Sequence, residues 1–211
     1  MYKPDGSGTY SQYDEEKTIL DRFGLTDVNI DATPRRFLDI GAWDPKCFSN
    51  TRALFEHGWS GVLIEPSPGP VISLLKEYGD EPRVQVVQAC VGLNHGELVK
   101  LRVTDDSITA AKDSATHQLW KEKGGYYGDM TAVAIDWDHI NLWWGGFQFV
   151  NIDAEGISVD LFYAMLHSGA RPDCCSIEHD NRMAELCAVA TERKIGYRLL
   201  YSNGTNAVFG R

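Results

Sequence analysis

A chain of 211 residues, 43% of them hydrophobic and 24% charged, has the length and apolar content of one folded α/β domain and is too apolar for a disordered chain. Its formal net charge of −10 excludes general electrostatic attraction to a nucleic-acid backbone. No apolar run reaches membrane-spanning length, and residues 1–6 show no signal-peptide pattern. The cysteines Cys47, Cys90, Cys174, Cys175 and Cys187 are odd in number with no C-x-x-C pair, so free thiols in a reducing cytoplasm are expected.

Along the chain, residues 9–24 come first. Ser11 is placed to cap a helix whose apolar face carries Ile19, Leu20 and Phe23. It reads either as a plain capped helix or as a lid over a ligand. Residues 37–44, Phe37-Leu38-Asp39-Ile40-Gly41-Ala42-Trp43-Asp44, read as a buried strand that stops at a tight turn. Residues 50–57 follow as a helix capped by Ser49 or Asn50 and ended by Gly58. Ser60-Gly61-Val62-Leu63-Ile64-Glu65-Pro66 is a second strand closed by an acid. Strand, glycine turn, helix and acid-tipped strand make a nucleotide-binding βαβ unit.

In such a unit Gly41 lets the backbone approach a ligand. Glu65, about 20–25 residues past the turn, can accept from both ribose hydroxyls of an adenosine. A dinucleotide needs G-x-G-x-x-G, but here Gly41 stands alone before Ala42, Trp43, Asp44 and Pro45. Bulky and acidic residues suit a sulfonium or an amino-acid group better than a pyrophosphate. The ligand expected is S-adenosylmethionine rather than a nicotinamide dinucleotide.

Residues 39–44, Phe48-Ser49-Asn50-Thr51-Arg52 and residues 58–66 together resemble the FkbM family of S-adenosylmethionine-dependent methyltransferases. The resemblance implies a Rossmann-like class I methyltransferase: a mostly parallel sheet, helices on both faces and a C-terminal antiparallel hairpin. It implies methylation of hydroxyls on sugars, glycans or natural products. It makes Asp39, Gly41, Ala42, Trp43, Asn50, Glu65, Pro66, Ala89, Cys90 and Asp153 the cofactor-binding set. The family's Ser-Gln-x-Gly-Glu-Asp pattern is met at Ser11, Gln12 and Glu15, while Asp14 and Glu16 depart from it.

Residues 70–78 read as a helix with Val71, Leu74, Leu75 and Tyr78 inward, stopped by Gly79. Residues 83–91 read as a third strand whose end, Ala89, Cys90 and Val91, belongs near the adenine. Residues 98–103 alternate as an extra edge strand. Residues 104–129 are polar and aromatic, a substrate-side insertion or a surface excursion. Residues 130–135 read as a strand, followed by a short turn through Trp143 and Trp144, which suit sugar stacking or plain packing. Residues 148–153 are an apolar strand closed by Asp153, and Ala154-Glu155-Gly156 completes the family's Ile-Asp-x-Glu-Gly pattern before a helix. Residues 174–177 are a fifth strand, tipped by Glu178-His179-Asp180, and residues 183–193 a helix. Residues 197–209 read as a hairpin around Ser202-Asn203-Gly204. A nicotinamide enzyme would more often add a parallel strand there. The whole of residues 1–211 is expected to be one domain, with residues 1–24 its N-terminal helix or lid.

Strands tipped by Asp39, Glu65, Asp153 and Glu178 would converge on one rim, where open α/β sheets bind ligands. Methyl transfer to a hydroxyl needs positioning and a general base. Asp153, Glu155 and His179 are the base candidates, with a solvent-facing loop histidine as the alternative for His179. Asp153, Glu155, Glu178, His179 and Asp180 could instead hold a hard divalent cation, though a metal-free site is preferred. The function expected is O-methylation of a small-molecule or glycan acceptor. The competing readings are a non-catalytic S-adenosylmethionine-binding protein and a nicotinamide-dependent oxidoreductase.

Overall fold

The computed structural model describes residues 9–25, 33–104, 108–110, 126–192 and 194–211. Its strands are β1 (Arg36–Ile40), β2 (Ser60–Ile64), β3 (Val84–Val87), β4 (Cys90–Val91), β5 (Leu98–Thr104), β6 (Ile108–Ala110), β7 (Tyr126–Ile135), β8 (Phe149–Ile152), β9 (Cys174–Glu178), β10 (Arg198–Ser202) and β11 (Asn206–Gly210). The helices are α1 (Glu15–Phe23), α2 (Arg52–Glu56), α3 (Pro68–Tyr78), α4 (Trp137–Trp143), α5 (Ser158–His167) and α6 (Met183–Ala190). Seven strands form the main sheet in the order β10-β11-β9-β8-β1-β2-β3. Neighbours among β3, β2, β1, β8 and β9 pair in parallel. Strand β11 runs antiparallel between β9 and β10. This is the α/β class I arrangement that the motifs imply, hairpin included.

The strand residues are apolar on both sides because helices cover both faces. Leu38, Ile40, Val62, Ile64, Val150, Ile152, Cys175 and Ile177 pack on one face against α4, α5 and α6, through Trp137, Phe162, Met165 and Leu186. Phe37, Leu63, Phe149, Cys174 and Val208 alternate with them and pack on the other face against Ile19 of α1, Leu54 of α2 and Leu74 of α3. One row on this second face is polar. Asp39 is in register with Asn151, and Asn151 with Ser176. The Asn151 amide donates to Asp39 Oδ1 at 2.8 Å, and the Asn50 amide donates to Asn151 Oδ1 at 3.0 Å. Thr51 Oγ1 donates to Asp39 Oδ2 at 2.6 Å. The start of α2 is thus hydrogen-bonded onto the sheet.

The structure corrects several sequence expectations. Residues 83–91 do not form one strand: β3 ends at Val87, and β4 pairs with β7 in a second sheet of order β4-β7-β5-β6. Residues 98–103 are not an edge, since β5 lies between β7 and β6. Trp143 ends a helix rather than lying in a turn, because Asp136 caps α4 by accepting from the His139 N–H at 3.0 Å. Leu75 points outward, 48% exposed. Helix α2 starts at Arg52, whose N–H donates to Ser49 Oγ at 3.1 Å, and α6 stops at Ala190. Most of the expected insertion, 105–107 and 111–125, lies outside the described residues; its remainder supplies β6 and the ends of β5 and β7.

Candidate functional site

The carboxyl ends of β1, β2, β8 and β9 open into one cavity of about 750 Å³. At its floor the chain turns at Gly41, with φ +81°. A Cβ on Gly41 would stand 1.7 Å from the carbonyl oxygen of Asp153. Glycine is therefore required by the protein's own backbone, where the turns after β1 and β8 press together. The Gly41 N–H donates to Ile64 O at 2.9 Å, and the Asp153 N–H to Ile40 O at 2.9 Å, which locks both turns to the strands.

Each acid at the rim has a different setting. Both oxygens of buried Asp39 are occupied by Thr51 and Asn151. Burial lifts its carboxyl above the usual range while those two donors pull it back. Glu65 is 4% exposed. Its Oε1 accepts from the N–H and hydroxyl of Ser67, and its Oε2 from the Trp43 N–H at 3.2 Å. Burial raises it and the Ser67 bonds oppose the rise. Asp153, Glu155 and Glu178 form a tight group, with one carboxylate oxygen of each within 4.8 Å of the others. Burial is the largest cause lifting all three; next come the Glu155 charge for Asp153, the Asp153 charge for Glu178 and the Asp180 charge for Glu155. The three carboxyls lie close enough to titrate as one interacting group.

Of the residues singled out in the sequence, Asp39, Gly41, Ala42, Trp43, Glu65, Pro66, Ala89, Cys90, Asp153 and Glu155 all line this cavity. Asn50 does not; it is buried one layer below, bonded to Asn151. His179 also lies outside the lining. Its backbone N–H donates to Thr205 O, its Nε2–H donates to Asn203 O at 3.2 Å, and it faces the hairpin. Asp180 accepts from the N–H groups of Gly156 and Ser158 and so fixes the loop after β8. Of the four acids and one histidine considered for a cation, only Asp153, Glu155 and Glu178 come together.

Some lining residues were not among the expected site residues. Val99, Leu101 and Val103 reach the cavity from alternate positions of β5, so the second sheet forms one wall. Gln12, from the segment ahead of α1, also contributes. Trp43 and Phe48 lie with near-parallel rings, centroids 6.1 Å apart. Trp43, Phe48 and Glu155 have positive φ values of 35°, 57° and 37°, unusual for residues with side chains. All three of these residues line the same cavity. Burial pushes the Cys90 thiol up to about 11, which disfavours its thiolate.

The topology and the site fit one class of protein: an α/β Rossmann-like fold of the class I methyltransferase kind. No family model matches the chain, and no curated protein matches it either. Among solved structures it is similar to the methyltransferase FkbM from Methylobacillus flagellatus KT, at 13% identity over 89% of this chain and 45% of that one, with a TM-score of 0.51. It is also similar to the METTL16 MTase domain, at 13% identity over 92% of this chain and 64% of that one, with a TM-score of 0.50. The chain spans less than half the length of the FkbM structure. At such identities the likeness is one of fold.

Proposed function

We propose that the chain is an S-adenosylmethionine-dependent methyltransferase that acts on a hydroxyl of a small-molecule, sugar or glycan acceptor. The observation that carries this reading is the meeting, in one cavity, of the Gly41 turn, Glu65 at the tip of β2 and the Asp153 group at the tips of β8 and β9. The residues suit the cofactor. Glu65 offers a buried carboxylate to ribose hydroxyls. Ala89, Cys90 and Val91 give an apolar edge to an adenine. Three carboxylates favour a ligand that carries positive charge.

When bound, S-adenosylmethionine supplies an electrophilic methyl group on a sulfonium. The residues of the chain would do the rest. Asp153 would take the proton of the acceptor hydroxyl as the methyl group leaves the sulfonium sulfur for that oxygen. The cavity walls hold the acceptor in line and exclude water. Glu155, in its strained conformation, presents a second carboxylate for orienting the acceptor. The net charge of −10 argues against a nucleic-acid acceptor. No helix among the described residues is long and apolar enough to cross a membrane.

Calorimetry with S-adenosylmethionine and with NAD tests the cofactor. Binding of the first alone is the expected result, and binding of NAD alone would overturn it. A screen of sugars, glycans and other hydroxyl compounds with labelled cofactor tests turnover. Tight cofactor binding without label transfer to any acceptor would point to a binding protein.

A further inference from the structure

Outside the cavity, a second group of metal-ligating side chains lies where loop 92–97, between β4 and β5, meets the start of α4. One nitrogen each from His95 and His139 and one oxygen of Asp136 lie within 4.8 Å of one another. The two imidazoles are stacked, with centroids 3.5 Å apart and planes 13° from parallel. Trp143 packs edge-on against both, at 5.8 and 5.4 Å. Asp136 organises the group. Its Oδ1 accepts from His139 Nδ1–H at 2.7 Å, and its Oδ2 accepts from the His95 backbone N–H at 3.2 Å.

We propose that His95, Asp136 and His139 form a site for one divalent ion of the borderline, nitrogen-seeking kind, zinc first among them. The ligand set is two imidazoles and a carboxylate, which suits such ions and not magnesium or calcium. The spacing fits. Two nitrogens on a tetrahedral zinc, each roughly 2.0–2.1 Å from the metal, stand roughly 3.3 Å apart. The ring centroids stand 3.5 Å apart and the three donor atoms lie within 4.8 Å of one another, so a modest turn of one ring brings the nitrogens to that separation. A metal between His139 Nδ1 and Asp136 Oδ1 takes the place of the proton shared there, which passes to Nε2. His95, exposed and on a loop, turns its ring to complete the set, and water fills the fourth position. The ion would clamp loop 92–97 to α4. The loop leads directly into β5, so the clamp would steady the wall that carries Val99, Leu101 and Val103. This inference is independent of the methyl-transfer reading.

The test is titration calorimetry of the full chain with zinc chloride, against His95→Ala and His139→Ala. The capping bond to Asp136 uses the backbone of residue 139, and His95 is exposed, so both variants should keep the metal-free Tm. The expected result is one saturable site in the wild type, weakened at least about tenfold in each variant. Zinc should raise the wild-type Tm and leave that of the variants unchanged. Cobalt(II) should give visible d–d bands only in the wild type. An excess of magnesium should not compete. Absence of saturable zinc binding would overturn the proposal. So would binding retained by both variants, or binding abolished by Asp153→Asn, which would place the ion in the cavity.

Discussion

Glu65 already accepts three hydrogen bonds from Trp43 and Ser67, which fix its carboxylate at the tip of β2. A carboxylate has about four acceptor sites, so one remains on Oε2 for a further donor. Glu65→Ala should weaken S-adenosylmethionine binding by roughly ten- to hundredfold, since hydrogen bonds to a charged group contribute about 1.5–3 kcal/mol. Calorimetry measures this directly, and unchanged affinity would remove Glu65 from the site. The base candidates also separate at this scale. Asp153 lines the cavity, whereas His179 bonds to Asn203 of the hairpin. Asp153→Asn should lower turnover by about 10²–10⁴-fold with cofactor affinity largely kept. His179→Ala should lower Tm and leave most of the rate. A large rate loss in folded His179→Ala, with Asp153→Asn fully active, would reverse the assignment.

Among elements, α1 and the C-terminal hairpin depend on each other. Glu15 is fully buried, and its Oε1 accepts from the side-chain amides of Asn203 at 2.7 Å and Asn206 at 2.9 Å. Its Oε2 accepts from the Tyr13 N–H at 2.9 Å. Glu15→Ala leaves one buried and one half-buried amide donor without their partner and should cost about 1.5–3 kcal/mol in denaturant unfolding. A cost below about 0.5 kcal/mol would show that water replaces the carboxylate. This contact is also where sequence reading ran short. Glu15 reads as an ordinary acid in a first helical turn, because its partners lie 188 and 191 residues away. The same holds for Asn50, whose helix-start pattern hides a bond to Asn151 across the sheet. By contrast, the ends of β1, β2 and β8 were legible, since each apolar run stops at an acid. Residues 83–91 misled because one valine-rich run serves two sheets. The alternation of β5 was visible, but not which sheet it would join. Residues 136–146 read as a turn because Trp-Trp-Gly-Gly masks a cap supplied by Asp136.

At the scale of the whole molecule, the carboxyl group in the cavity sets a pH dependence. Asp153, Glu155 and Glu178 keep their protons to higher pH when folded than free carboxyls do, which titrate near about 4. Above that pH the folded state binds more protons than the unfolded chain, so stability falls as pH rises through the folded values. Acids with lowered values, Glu77 and Asp136 among them, have lost their protons before this window. The Tm should therefore be higher at pH 5 than at pH 8. Glu178→Gln removes one of the three neighbouring acids. It should raise the Tm at pH 8 by about 2–4 °C and change little at pH 5. A Tm that rises from pH 5 to pH 8 in both proteins would contradict the raised carboxyls of this group.

The position of β11 bears on how the chain comes off the ribosome. Domains form from the N-terminal side as translation proceeds, at about 5–20 residues per second. Strands β1, β2 and β3 find neighbours close in sequence, but β8 must wait to pair with β1, and β10 touches the sheet only through β11. Until β11 emerges, the outer edge of β9 offers its backbone groups to any other strand, and Cys175 and Ile177 wait for Phe209 and Ala207. Half-made chains are thus the sticky ones. Slow translation after Glu178, or a scarcity of chaperones, would raise aggregation of nascent protein without altering the stability of the finished molecule.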